Sequence, residues 1–274
     1  MNDLKTNFNI ENYDGGCLAP KKDLRDYRIN THIAFASELP DKFEVKHSEI
    51  KNQGGVCSCV AHSVCEVLEA INDNKEKYST NWIYGYRPFG YYVGKGMYTR
   101  QACKTASDVG YVLYDDFKGN DEMNAVKETV DKNITFLKDK AKDRKTFAYA
   151  SLRNREEIKK AIFMTRHPVV VCVHCCSPFI VDDNNELVYS DKFGGYHAMV
   201  CYGWNERGLL LQNSWGENFG DHGTCILPDN YPFSEAWLIA NTQDEYLVLR
   251  PKGFWLRQLL QAILNFIIRM FNNK

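Results

Sequence analysis

Pro168 divides this sequence into two textures, and the division limits the folds open to it. Before it, Val60, Val64, Val67, Leu68 and Ile71 recur at helical spacing and predict a helix over 58–73. Further helices are expected over 99–109 and 121–142. A capped amphipathic helix is expected over 154–166, where Asn154 precedes REEIKKAIFM. After Pro168 come short apolar or alternating runs, VVVCVHC, HAMVCYGW, GLLLQNSW and GTCILP, parted by Gly, Asn and Asp; these read as strands. A helical half followed by a β-rich half predicts an α+β chain of two lobes with a cleft between them. The 274 residues, 44% of them hydrophobic, suffice for one large domain or two fused lobes.

The two ends differ from this body. Residues 1–38 are polar and irregular, with paired glycines at 15–16 and Pro20, and read as an N-terminal extension or short propeptide. The opening MNDLKTNFNIENYDGG has no apolar h-region, so no signal peptide is expected. At the other end, 251–274 form a tail. Within 254–271, Arg257, Gln261, Asn265 and Arg269 make a polar stripe on an otherwise apolar helical pattern. At about 18 residues with two arginines it is marginal for spanning a bilayer. It suits attachment to a membrane surface or a protein partner better than closure of the core.

Charge and cysteine content narrow the setting. A formal net charge of −1 gives no reason to expect a nucleic-acid partner. Ten cysteines would fit a secreted disulfide framework, but the missing leader and the adjacent Cys175 and Cys176 favour mostly reduced thiols. That implies a cytoplasm-like reducing compartment or a virion.

One group of residues carries chemistry. A cysteine acts as a nucleophile when it is a thiolate, and a helix N-terminus and a nearby imidazole both favour that form. Cys59 falls in the first turn of the 58–73 helix. His197 lies on a predicted strand after two glycines, and Asn213 ends the next strand, followed by Trp215. Two neighbouring strands can place an imidazole beside an amide oxygen that fixes the ring.

These residues resemble the papain family of cysteine peptidases, related to papain and the cathepsins. The resemblance rests on Gln53 and Gly54 in NQGG, Cys59 with Ala61 after it, His197-Ala198, and Asn213-Ser214-Trp215-Gly216. His197 and Asn213 follow Cys59 by about 138 and about 154 positions, close to the family's spacing. LPDKF at 39–43 resembles a mature start, and YSTNWIYGYR and GMYTRQACKTASDVGY resemble prokaryotic and viral-type members. The resemblance covers about 40–250, and a peptidase domain over 39–250 is expected from it.

The resemblance implies a papain-like fold with a helical left lobe, a β-barrel-like right lobe and the active site in the cleft. It implies a cysteine endopeptidase acting on a peptide or protein substrate through an acyl-thioester, with no metal or organic cofactor. Cys59 would be the nucleophile, His197 the general base and acid, and Asn213 its orienter. Gln53 and the Cys59 N–H would form the oxyanion hole, and Trp215 would shield the His–Asn hydrogen bond. Gly96 would present backbone to substrate, and Met97, Tyr196 and Ala198 would border the S2 pocket. A papain-fold acyltransferase or deamidase, and an inactive peptide-binding pseudopeptidase, are the rival functions.

Some residues depart from the family pattern. Val56 replaces a disulfide cysteine, Cys57 a glycine, Val60 a tryptophan, and Tyr196 stands where many members carry Asp or Gly. Plainer readings compete elsewhere. Cys57, Cys59, His62 and Cys65 could ligate zinc, but ligands on one short helix rarely surround a metal, and Gln53 and NSWG would go unexplained. Cys172, His174, Cys175 and Cys176 read as structural. Glu235 is either the floor of S2 or a surface glutamate. Cys17 is either a surface thiol or a redox-reversible cap on Cys59, if residues 1–38 run through the cleft.

Overall fold

A buried helix and a twisted antiparallel sheet face each other in the computed structural model, which describes residues 16–21, 38–118 and 123–242. The helix is α1 (Cys59–Ile71), and every residue from Cys59 to Ala70 is buried. Its apolar face joins α2 (Thr80–Gly85), α3 (Thr99–Lys104), α4 (Met123–Lys132) and α5 (Ile134–Ala141). A π-helical turn, Thr105–Val109, extends α3, so the expected 99–109 helix is present with its last turn widened. The expected 121–142 helix is two helices, because Asn133 caps α5 in a non-helical conformation. The short α2 escaped the pattern reading. Ser79 starts it by accepting the Trp82 N–H, a local signal in a segment too short to show periodicity.

Beyond Asn154, whose side chain accepts the Glu157 N–H, α6 (Arg155–Thr165) runs to Arg166 in a left-handed conformation. Pro168 then forbids further helix and the chain enters β3 (Val169–Cys176). The strands β1 (Phe43–Glu44), β2 (Ala148–Leu152), β4 (Phe193–Asn205), β5 (Gly208–Gln212), β6 (Thr224–Pro228) and β7 (Phe233–Ala240) complete one antiparallel sheet. Its order is β2-β7-β3-β4-β5-β6, with β1 added on β4, and it does not close. Gly203 permits the β1 contact, since a Cβ there would strike the Phe43 carbonyl. β1, β2 and β7 were not read from the sequence. β1 has only two residues, and β2 and β7 are assigned by their pairing with each other, from Ala148↔Ala240 to Leu152↔Ala236.

Two large apolar clusters result, with a small third one of Ala148 and Ala240. One lies between the helices and one face of the sheet; the other holds Ile158, Ile162, Val171, Met199, Leu211 and their neighbours on the opposite face, under α6. This is the α+β architecture of a helical layer against an antiparallel sheet. No helix among the described residues is long and apolar enough to cross a membrane. The 251–274 tail and most of 1–38 lie outside the described residues.

α1 carries two buried carboxyl groups with opposite solutions. Glu69 pairs with Lys51 at 2.8 Å and accepts the Tyr78 N–H at 2.8 Å. Glu66 is fully buried, neither oxygen has a hydrogen-bond partner, and burial pushes its pKa up to about 8 from 4.5. Between those two values the folded chain keeps a proton that the unfolded chain has lost, so stability falls as pH rises through the window. Glu66→Gln keeps the neutral shape. Its melting temperature should match wild type below about pH 5 and exceed it by several degrees above about pH 8, as measured by thermal denaturation across pH. Parallel curves would show that Glu66 is ionised in the fold.

Candidate active site

The first residue of α1 meets the middle of β4. Ser58 precedes the helix without capping it through its side chain; its hydroxyl lies 3.2 Å from His62 Nδ1 instead. Cys59 is therefore at the open end of the helix, where backbone N–H groups of Cys59 and Val60 favour a charged sulfur. Across the gap, the Ala198 N–H donates to Cys59 Sγ at 3.5 Å. The residue before Ala198 is His197, so the strand that contacts the thiol also carries the imidazole.

Pairing of β4 with β5 sets Val200 opposite Gln212 and brings Asn213 to His197. His197 Nε2 donates to Asn213 Oδ1 at 2.7 Å. That oxygen also accepts the Ser214 N–H at 2.8 Å, which fixes which end of the amide faces the ring. With Nε2 committed, Nδ1 is left as the nitrogen that can exchange a proton. Trp215 lies on the imidazole, with ring centroids 4.5 Å apart, and is almost fully buried. Phe179 and Phe219 close around Trp215, and Phe179 also meets the His197 ring edge-on at 5.9 Å. The aromatic enclosure removes water from the His197–Asn213 bond. Trp215 thus packs on the imidazole and not on an open substrate surface. Phe179 was missed in the sequence; it belongs to no motif, and only the tertiary fold brings it near.

Gln53 is tied to the same strand junction. Its backbone N–H donates to the Ser214 carbonyl, and its Oε1 accepts from Ser214 Oγ at 2.7 Å. Its Nε2 donates one hydrogen to the Val56 carbonyl at 2.8 Å, which leaves a second on the same nitrogen. Val60 is fully buried in the helical cluster and Val56, partly buried, packs against its edge, so both departures from the family pattern serve packing.

The cleft is not open. Residues 16–18 of the extension run through it as an extended strand. Met97 N–H donates to the Gly16 carbonyl at 3.0 Å, Leu18 N–H to the Met97 carbonyl at 3.1 Å, and Cys17 N–H to the Tyr196 carbonyl at 3.2 Å. Gly16 lies on the thiol: a Cβ there would fall 2.8 Å from Cys59 Sγ and 2.8 Å from the Cys57 backbone. The backbone offered to this strand is that of Met97. Gly96, expected in that role, instead donates its N–H to the Tyr84 hydroxyl.

Cys17 is neither a surface thiol nor a cap on Cys59. Its side chain enters the wall beside Tyr196 and Met97 and forms a disulfide with Cys172 of β3. Cys172 is thereby corrected from a structural thiol to half of a bridge. Sheet register sets Ala198 and Glu235 on either side of Cys172. Glu235 is half-buried, with a carboxylate oxygen within 4.8 Å of both sulfurs, so it is not a surface glutamate. These three are the one cysteine-, histidine- or carboxylate-rich group of metal-binding geometry among the described residues, and the disulfide leaves no thiolate there. Cys57, Cys59, His62 and Cys65 do not converge on a metal position; His62 turns its Nδ1 to Ser58. The other eight cysteines are free thiols, as expected for most of them.

The strand changes the site's electrostatics. Burial pushes the Cys59 thiol up to about 12 despite the helix N–H groups. Burial likewise lowers His197 to about 4, against the Asn213 hydrogen bond that raises it. Both groups are therefore neutral at pH 7 while the cleft is covered.

Comparison with known proteins agrees with this geometry. The model of the papain family of cysteine proteases matches residues 39–232. The viral cathepsin of Adoxophyes honmai nucleopolyhedrovirus is 24% identical over 202 residues, which cover 68% of this chain and 56% of the relative. The chain thus spans little more than half the length of that relative. Among solved structures, xylellain, a cysteine protease from Xylella fastidiosa, has a TM-score of 0.70 at 20% identity, covering 85% of this chain and 97% of its own. A procathepsin B from Trypanosoma congolense gives 0.66 at 15% identity, covering 87% and 89%. With the sheet order, the helix-borne thiol and the matched segment together, the chain belongs to the papain family of cysteine proteases.

Proposed function

We propose that this chain hydrolyses peptide bonds as a cysteine endopeptidase whose cleft is covered, in the form described, by its own N-terminal segment. The observation that carries the reading is the hydrogen bond from His197 Nε2 to Asn213 Oδ1 at 2.7 Å, beside a thiol at a helix N-terminus. A neutral imidazole protonated at Nε2 has its lone pair on Nδ1. That lone pair takes the Cys59 proton as the thiolate attacks the substrate carbonyl. The Cys59 N–H and the remaining Gln53 Nε2 hydrogen receive the negative charge on the carbonyl oxygen. The imidazolium then protonates the departing amine. A water molecule, deprotonated by the same nitrogen, releases the acid from the Cys59 thioester. The Met97 N–H and carbonyl, which now hold residues 16–18, are the groups on which a substrate main chain would pair as an added strand. Met97, Tyr196 and Ala198 would border the neighbouring side-chain pocket.

Activity on fluorogenic dipeptide amides, with thiol reductant present, tests the reading. Cys59→Ala should abolish turnover, and an epoxide thiol-protease inhibitor should label Cys59 in wild type, located by peptide mass mapping. Label without hydrolysis, with amine transfer or ammonia release instead, would favour the acyltransferase or deamidase. A protein that neither turns over nor takes label would be a peptide-binding pseudopeptidase.

Asn213→Ala should keep the fold and Cys59 labelling but lower kcat by about a hundredfold, because the ring loses the acceptor that selects its tautomer. An unchanged kcat would remove Asn213 from the mechanism.

The cover should also shape pH dependence. With the thiol held near 12 while covered, alkylation of Cys59 should be slow at pH 7 and rise with pH. Gly16→Val puts a side chain where Cys59 Sγ lies, so it should displace the strand and speed alkylation at pH 7. Identical alkylation rates for Gly16→Val and wild type would show that the strand does not shield the thiol.

A further inference from the structure

The cover is fastened by more than hydrogen bonds. Residues 16–18 make three main-chain hydrogen bonds to the two cleft walls, at Met97 and Tyr196. Those same wall groups can pair with water or with an incoming peptide, so alone they give a cover in ready exchange with competitors. The Cys17–Cys172 disulfide is of another kind. It joins the extension to β3 across a sequence separation of 155, so the strand cannot leave the wall at Cys17 even when its hydrogen bonds exchange. The bond also lies one residue from the glycine that covers Cys59 Sγ, so holding Cys17 holds Gly16 on the thiol. It stands apart chemically, since the eight remaining cysteines are free thiols, seven of them buried and only Cys57 partly exposed.

We propose that the Cys17–Cys172 disulfide is a redox latch: while oxidised it locks residues 16–18 over Cys59, and its reduction by a dithiol releases them and exposes the active site. The proposal rests on the Cys59 nucleophile of the preceding reading but concerns its accessibility, not the reaction it performs. In the opening step a thiolate of the dithiol attacks one sulfur of the bridge. The S–S bond breaks, the other sulfur leaves as a thiolate and takes up a proton. The second thiol of the reductant then attacks the mixed disulfide. The reductant ends as a cyclic disulfide, and Cys17 and Cys172 end as thiols, having received two electrons and two protons together. Access sets the rate. Both sulfurs belong to buried residues, while Glu235 beside them and Pro20 and Lys21 of the same segment border an open pocket. Attack from that side passes Lys21, Arg100 and Lys104 as well as Glu235, so the pocket carries more positive than negative charge and admits an anionic thiolate; burial of the two sulfurs, not charge, should make opening slow.

The test uses the full chain purified without reductant, with the rate of Cys59 alkylation by iodoacetamide read by mass mapping. Oxidised wild type should yield a cross-linked Cys17–Cys172 peptide and alkylate Cys59 roughly tenfold or more slowly than after dithiol treatment. Cys17→Ser should alkylate at the reduced wild-type rate with no reductant present. Cys172→Ser, which retains Cys17, should do the same and shows that the pair rather than one thiol matters. A missing cross-link, an alkylation rate in wild type unmoved by reduction, or a Cys17→Ser protein as slow as oxidised wild type would each overturn the latch. Because alkylation is read without substrate, the two readings fail separately. A redox-dependent Cys59 with no peptide hydrolysis would leave the latch standing and remove the peptidase.

Discussion

The packing of α1 end-on against β4 is the constraint on which the rest of the site depends. A helix buried on every side can carry its first residue to a fixed position, because no turn of it is free to shift toward solvent. That position is 3.5 Å from a backbone N–H of a central strand. The strand cannot move either, since β4 pairs with β1, β3 and β5. Thiol and imidazole are thus held by a buried helix and a strand paired on both sides, and the amide by the residue that follows β5. The buried pair Lys51–Glu69 and the Ser214–Gln53 hydrogen bond tie the approach to α1 into the same frame. This is how the mutual placement of the thiol, the imidazole and the amide is kept rigid.

The same burial that fixes the geometry suppresses the chemistry. A thiolate–imidazolium pair needs solvation or aligned dipoles to outweigh the loss of water. Helix N–H groups supply the dipoles, but a glycine laid over the sulfur removes the water, and desolvation wins for both groups. A covering strand therefore acts twice, occupying the Met97 and Tyr196 backbone groups and holding the Cys59 thiol neutral. Glycine at 16 is what allows so close an approach, and the Cys57 backbone is the other surface against which that glycine rests.

The residues that differ from the family pattern fall into place by burial. Val60 and Val56 fill apolar space in the helical cluster, so loss of an aromatic and of a bridging cysteine there is a change of packing. The cross-link has instead been placed between the extension and β3. This bridge restricts the unfolded chain as any long-loop disulfide does, and in the fold it also restricts the segment that lies over Cys59.

Much of this was legible in the chain itself. Periodic apolar spacing fixed α1 and α6, Asn154 and Pro168 fixed their limits with the strand that follows, and the short apolar runs marked β3 to β6. Cys59, His197 and Asn213 were singled out by residue type and spacing, because a thiol at a helix start and a histidine and amide on successive strands are local patterns, whereas Gln53 came only from the resemblance to the papain family. What sequence could not reveal were relations between residues with no shared periodicity. The pairing of β2 with β7, the Phe179 contact with the imidazole, and the choice of Met97 over Gly96 as the strand's partner depend on register set by distant elements. The partner of Cys17 is the clearest case. Ten cysteines permit many pairings, and only the fold, by bringing residue 17 into the cleft beside β3, decided that Cys172 would be the one within bonding reach.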